Sequence, residues 1–281
     1  LLDGARACPG LVKSAMFNQR TIGAHRKLKQ LIDSGELGTI RRINWIITDW
    51  FRTQFYYDSG DWRASWAGEG GGVLLNQCPH QLDLMQWFFG MPSRVRAVAA
   101  LGKYHDIEVE DEVTAILEYP SGATGVFIAS TGEAPGTNRL EITADRGKLL
   151  LEDGRLTFFR TETPVSEFCR TCRKKFAVPE VWHIEIPAAA ANPAQHRDII
   201  ANVAAAIRTG EALIAPLEEG IRGLELGNAM LLAGLTGQTI SLPMDPEPYA
   251  AMLKKLAAAS RYVRKTAVPT PDNGEDFSSS F

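Results

Sequence analysis

Asn76, His80 and Asp83 stand at i, i+4 and i+7 in a stretch that runs from Gly70-Gly71-Gly72 through Val73, Leu74 and Leu75 to Trp87, Phe88, Phe89 and Gly90. On one continuous helix those positions share a face. His is the side chain most easily poised as acid or base near neutral pH, and a carboxylate on the same face can set its tautomer. The remainder of the segment is apolar nearly all round, which predicts a buried helix. A buried polar stripe needs partners. Two readings stay open: a core histidine satisfied by its neighbours, or half of a proton-transfer site. Pro79 cannot sit deep in a regular helix. Either a helix begins near Gln77 to Pro79, or it kinks there.

Other residue types invite chemistry less strongly. Arg20 ends an apolar run, and Trp62-Arg63 lies in an aromatic loop with Phe55, Tyr56, Tyr57 and Trp66. Such arginines either clamp a phosphate or polyhydroxy substrate, or form structural ion pairs. The glycines Gly68, Gly70, Gly71 and Gly72 fit no dinucleotide fingerprint and do not follow a strand. They read instead as backbone making a close approach. Cys169 and Cys172 make half of a zinc pattern, with His183 a poor completion, so no metal is expected.

The elements that must carry these residues are read from periodicity. Leu1 to Ala7 is helix-compatible, Leu11 to Arg20 reads as a buried strand, and Thr21 caps a helix over about Ile22 to Ser34 that Gly35 stops. A strand covers Thr39 to Arg52, with Ile43, Trp45 and Ile47 alternating. After Gly90-Met91-Pro92 come strands at Arg94 to Gly102, Glu112 to Tyr119, Thr124 to Thr131, Arg139 to Ala144, Lys148 to Glu152 and Arg155 to Arg160. Hairpin turns such as Asp153-Gly154 join several of them. An irregular basic segment, Thr161 to Pro179, precedes a strand at Val181 to Ile186. Helices follow from Asn192-Pro193 to about Arg208, from about Leu217 to Leu235, and from about Pro246 to Arg264. The fold class is α/β: an open, mostly antiparallel sheet flanked by helices.

The 281 residues are 45% hydrophobic and 22% charged, enough for a sizeable core. A net charge of −3 gives no basic face for nucleic acid, and no apolar run is long enough to span a membrane. Four cysteines suit a reducing compartment, so a cytoplasmic location is expected. Leu1-Leu2-Asp3 reads like the middle of a helix, which predicts a chain cut from a longer one.

The order Phe17-Asn18-Gln19-Arg20, then Leu31-Ile32-Asp33-Ser34-Gly35-Glu36-Leu37-Gly38, then Trp62-Arg63, then Gly70 to Asp83, resembles the Gfo/Idh/MocA oxidoreductases. These are the relatives of glucose–fructose oxidoreductase and inositol dehydrogenase. The similarity continues through Gly147 to Leu242-Pro243-Met244-Asp245. It implies a Rossmann domain for NAD or NADP, and a second domain whose open sheet serves as an oligomer interface. It also implies hydride transfer on a sugar, polyol or sugar derivative. By motif His80 matches the family's catalytic His, and Asn76 its usual Asp. The family's Glu-Lys-Pro motif and glycine fingerprint do not occur. Asn76 cannot take a proton, but it can hold a substrate hydroxyl or orient His80.

On this resemblance residues 1–21 are the remnant of the Rossmann domain, residues 22–265 the substrate-binding and oligomerisation domain, and residues 266–281 a disordered tail. His80 and Asn76 are the expected catalytic pair. Arg20, Trp62, Arg63 and Asp83 are expected around the substrate. The alternative is a non-enzymatic module that binds sugar or associates with itself.

Overall fold

The computed structural model describes residues 2–60, 62–188 and 195–261. A short helix, α1 (Leu2–Arg6), precedes an extended stretch and a 3-10 turn at Asn18–Thr21. The apolar run from Leu11 to Arg20 is therefore not a strand. Extended chain becomes a strand by pairing along its length, and this run makes one isolated bridge, Ser14 to Pro216. Leu11 and Met16 remain exposed. Helix α2 (Gly23–Asp33) follows, and Thr21 does not cap it. The Thr21 hydroxyl instead donates back to the Asn18 carbonyl at 2.7 Å.

Strand β1 (Ile40–Ile47) leads through a short helix, α3 (Gln54–Ser59), to α4 (Val73–Asn76) and α5 (Pro79–Phe89). Then come β2 (Arg94–Leu101), β3 (Glu110–Glu118), β4 (Thr124–Ser130), β5 (Asn138–Ala144), β6 (Gly147–Glu152) and β7 (Arg155–Thr161). Each lies within about two residues of its expected bounds, because period-two alternation and turn residues mark both ends. The basic segment contains a helix, α6 (Val165–Thr171), ahead of β8 (Val181–Ile186). The chain continues through α7 (Gln195–Thr209), α8 (Gly220–Thr236), β9 (Ile240–Ser241) and α9 (Pro246–Ala259). The expected helix start at Asn192-Pro193 and the tail from 266 lie outside the described residues.

Among the described residues the nine strands join one sheet in the order β8-β7-β6-β5-β1-β4-β3-β2-β9. β1 and β4 run parallel, and the other neighbours run antiparallel. One face is the core. Ile43, Trp45 and Ile47 of β1 and Val113, Ala115 and Leu117 of β3 are all at most 3% exposed, and α2, α5 and α8 cover them. The opposite face is open, and Val98 (70%) and Ile116 (49%) lie on it. Helix α8 packs closely on both α5 and β2. Glycines bring α8 close: a Cβ at Gly223 would stand 3.2 Å from the Asp83 nitrogen, and one at Gly234 would stand 2.6 Å from the Ala99 Cβ.

Candidate active site

The glycine loop enters the site because Glu110 crosses behind it. A Cβ on Gly72 would lie 2.0 Å from the Glu110 carbonyl oxygen, so no other residue fits there. The buried Glu110 carboxylate accepts from the Gly72 and Leu74 amides at 2.9 and 3.1 Å, which ties down the start of α4. After one turn α4 stops at Asn76, and Pro79 opens α5 as its first residue, where its missing N–H costs nothing. Of the two geometries open in the sequence, the break is the one realised. Asn76, His80 and Asp83 therefore do not share one continuous helical face.

Burial raises the Glu110 carboxyl to about 7, against the pull of its backbone donors. A carboxyl raised in the fold keeps its proton where the unfolded chain has lost it. Its contribution to stability is thus complete below the unfolded value and lost as pH rises through about 7. Glu110→Gln should remove that fall. In denaturant titrations at about pH 5 and about pH 8, the variant should gain roughly 2–3 kcal/mol on the parent across the interval. A difference between the two proteins that ignores pH overturns the assignment.

Asn76 is held on every side. Its Oδ1 accepts from the Tyr56 hydroxyl at 3.2 Å and the Gln77 amide at 2.9 Å, and its Nδ2 donates to Glu69 Oε1. Glu69 Oε2 in turn accepts from the Ala64 amide at 2.9 Å. Burial raises the Glu69 carboxyl, while the Ala64 amide, Asn76 and the charge of Arg63 draw it back. The Arg63 guanidinium lies over both the Tyr56 and Trp62 rings, at 4.6 and 4.8 Å. Trp62, Arg63, Tyr56 and Asn76 thus form one contiguous wall, with the Trp62 indole 42% exposed. Tyr56 and Glu69 escape a reading of the sequence. The single signal for Glu69 is a carboxylate set inside a run of glycines.

His80 sits in the first turn of α5, half-buried, with the Phe17 ring edge-on at 6.3 Å. Its Nδ1 is buried and has no hydrogen-bond partner. Burial lowers its pKa below the ordinary histidine value; the charge of Asp83 opposes that shift and His196 adds to it. The ring is therefore neutral at neutral pH, with one nitrogen free to accept a proton.

Arg20 and Asp83 answer to each other. Arg20 Nε and Nη2 donate to the two Asp83 oxygens at 2.8 and 2.6 Å, and Nη1 reaches Glu219 at 2.5 Å and the Ile214 carbonyl at 3.0 Å. Both side chains are 1% exposed. Burial works against the Arg20 charge, but Asp83 and Glu219 outweigh it and hold its pKa above the usual value. Arg20 and Asp83, both expected around the substrate, form a buried bidentate ion pair with neither side chain turned to solvent.

Cys169 and Cys172 are free thiols, and among the described residues no group of three or more His, Cys, Asp or Glu could hold a metal ion. Among the described residues no helix is long and apolar enough to cross a membrane.

Residues 25–150 match the model described as the GFO/IDH/MocA C-terminal domain. Over 90 residues the chain is 34% identical to a trans-1,2-dihydrobenzene-1,2-diol dehydrogenase of Bos taurus, covering 32% of this chain and 26% of that enzyme. Over 91 residues it is 33% identical to the putative oxidoreductase YteT of Bacillus subtilis, covering 31% of this chain and 20% of that protein. Among solved structures, the WlbA dehydrogenase of Chromobacterium violaceum, in complex with NADH and UDP-GlcNAcA, superposes with a TM-score of 0.62 at 27% identity, over 82% of this chain and 62% of the other. Its Bordetella pertussis counterpart gives a TM-score of 0.67 at 24% identity, over 86% and 67%. That second likeness speaks for the fold alone.

Proposed function

Residues 25–150 belong to the GFO/IDH/MocA C-terminal domain family, and from that premise we propose that this chain carries the substrate side of a nicotinamide-dependent oxidoreductase acting on a sugar, polyol or sugar derivative. The observation that carries the reading is His80: a neutral imidazole with a buried, unpartnered Nδ1, one helix break away from an Asn76 locked by three neighbours. In the oxidative direction His80 accepts the proton of the reacting hydroxyl and later returns it to solvent. Asn76 has its amide fixed by Tyr56, Gln77 and Glu69, so it presents a single orientation to that hydroxyl. Trp62 and Arg63 form the outer wall. Arg20 and Asp83 act through α5, holding His80 in place rather than touching substrate.

NAD or NADP, when bound, supplies the acceptor for the hydride that leaves the carbinol carbon. On this proposal its nicotinamide end would lie against Phe17, which is edge-on to His80, and the exposed Trp62. On this proposal residues 1–21 belong to the cofactor side and residues 22–265 to the substrate side. The open sheet face bearing Val98 and Ile116 would pair with a second copy.

The test is nicotinamide-linked oxidation of a panel of neutral sugars and polyols by the full-length protein, with NAD and NADP binding measured by calorimetry. Turnover with one of the two cofactors is expected. Saturable sugar binding with no affinity for either nucleotide would replace this reading with that of a binding module.

A further inference from the structure

Glu69 stands on a loop built to hold it. The loop turns at Ala64, whose φ of 66° lies in the left-handed region that residues with a Cβ seldom adopt. From that turn the Ala64 N–H donates to Glu69 Oε2 at 2.9 Å, and the Glu69 N–H donates to the Ser65 carbonyl at 2.9 Å. The chain between them has no slack: a Cβ on Gly68 would lie 2.3 Å from the Trp62 carbonyl oxygen. Backbone of this kind persists where its surroundings overdetermine it, and it clusters at functional sites.

What the loop fixes is the polarity of Asn76. Both lone pairs of its Oδ1 are used within the protein, by the Tyr56 hydroxyl at 3.2 Å and the Gln77 amide at 2.9 Å. One of its two Nδ2 hydrogens goes to Glu69 Oε1. A single N–H is left, so a substrate atom brought against this amide meets a donor and no acceptor. Two of the three partners would tolerate the opposite orientation. A tyrosine hydroxyl donates or accepts, and a glutamine can present either end of its amide. Glu69 tolerates one only. Each of its oxygens faces an N–H, from Ala64 and from Asn76, and a carboxylate only accepts. With Glu69 in place the Asn76 nitrogen must face it, and Tyr56 and Gln77 must both donate.

We propose that Glu69 is a positioning residue that sets the polarity of Asn76, so that Asn76 offers one N–H to the substrate oxygen on which charge develops. The proposal rests on the reading above, in which the reacting hydroxyl lies against Asn76 and His80. As hydride leaves the carbinol carbon for the nicotinamide acceptor, His80 takes the hydroxyl proton and the C–O bond becomes C=O. In reverse, hydride returns to that carbon and the oxygen gathers negative charge until His80 gives the proton back. A donor aimed at that oxygen acts most strongly at this point, and an acceptor would repel it.

The test replaces a group of fixed polarity with an ambiguous one. Glu69→Gln keeps the size of the side chain but donates as well as accepts. In the full-length protein, assayed on the sugar and polyol panel with NAD and NADP, kcat should fall about tenfold to a hundredfold while KM stays within about twofold, because the N–H acts on charge that the ground state lacks. A second readout needs no turnover: NMR of the side-chain amides, with Asn76 assigned by the pair missing from Asn76→Ala. In the parent one Asn76 amide hydrogen should be shifted downfield and slow to exchange, as for a bond to a carboxylate. Glu69→Gln should remove that signature and broaden or double the pair as the amide turns. Tyr56→Phe, which leaves Glu69 in place, should keep it. A parent without turnover fails the oxidoreductase reading alone, and the amide spectra then decide this proposal. Three results overturn it: an Asn76 pair that Glu69→Gln leaves unchanged, a downfield hydrogen lost as readily with Tyr56→Phe as with Glu69→Gln, or an active parent beside a Glu69→Gln variant whose kcat lies within about twofold of it.

Discussion

Arg20→Met should lower the unfolding free energy by about 3–5 kcal/mol, the cost of stripping one partner from a buried ion pair. The substitution keeps the length and apolar character of the side chain, so packing against Phe17 and Trp87, each about one ring contact away at 5.4 Å, is largely retained. What is lost is the bidentate hold on Asp83 and the contact to Glu219. Asp83, 1% exposed, is left with the Gln86 amide at 2.9 Å as its remaining donor. Coupling the change to Asp83→Leu should restore a large part of the loss, because two apolar side chains leave no uncompensated charge. Denaturant unfolding of the single and double variants measures both. A single-variant loss under about 1 kcal/mol would show that the pair is not the anchor of α5 that its geometry describes.

His80→Ala should reduce kcat/KM by about 10²–10⁴, the range for a residue that transfers a proton in the rate-limiting transition state. Its neighbours predict the form of the pH profile as well. On the proposed role the neutral ring is the active form for oxidation, and burial lowers its pKa, so activity should fall on the acid side at a pH below the ordinary histidine midpoint. The variant should lose that limb. A loss within twofold, with the acid limb intact, would move the proton to another group, and Glu69 is the next carboxyl to examine.

The parts of this molecule that a reader of the sequence can foresee are those held by local pattern. Val113, Ala115 and Leu117 alternate with Thr114, Ile116 and Glu118, and the strand, its face and its neighbours follow. The parallel pairing of β1 with β4 has no such mark, since the two strands lie some eighty residues apart and nothing in either records the direction of the other. The run from Leu11 to Arg20 fails for a related reason: its composition is that of a buried strand, but the structure offers it one bridge at Ser14 in place of a ladder. Helices α3 and α6 are too short to display a period.

In the site, residue types are legible and partnerships are not. Pro79 announces a break without choosing its form. Arg20 and Asp83 each look fit for a substrate, and it takes the fold, bringing them together across 63 positions, to give each to the other. Tyr56, Glu69 and Glu110 act through contacts with Asn76 and the glycine loop that no spacing rule encodes.

The glycine seam of α8 has a mechanical consequence. At Gly223 against the Asp83 backbone and at Gly234 against Ala99, no long side chain lies between the surfaces to change rotamer and let them slide. Shear between packed helices works through such small repackings. Here the seam forbids it, so α5, α8 and β2 move as one stiff body. The shape of a bound molecule is therefore not accommodated by sliding along this seam.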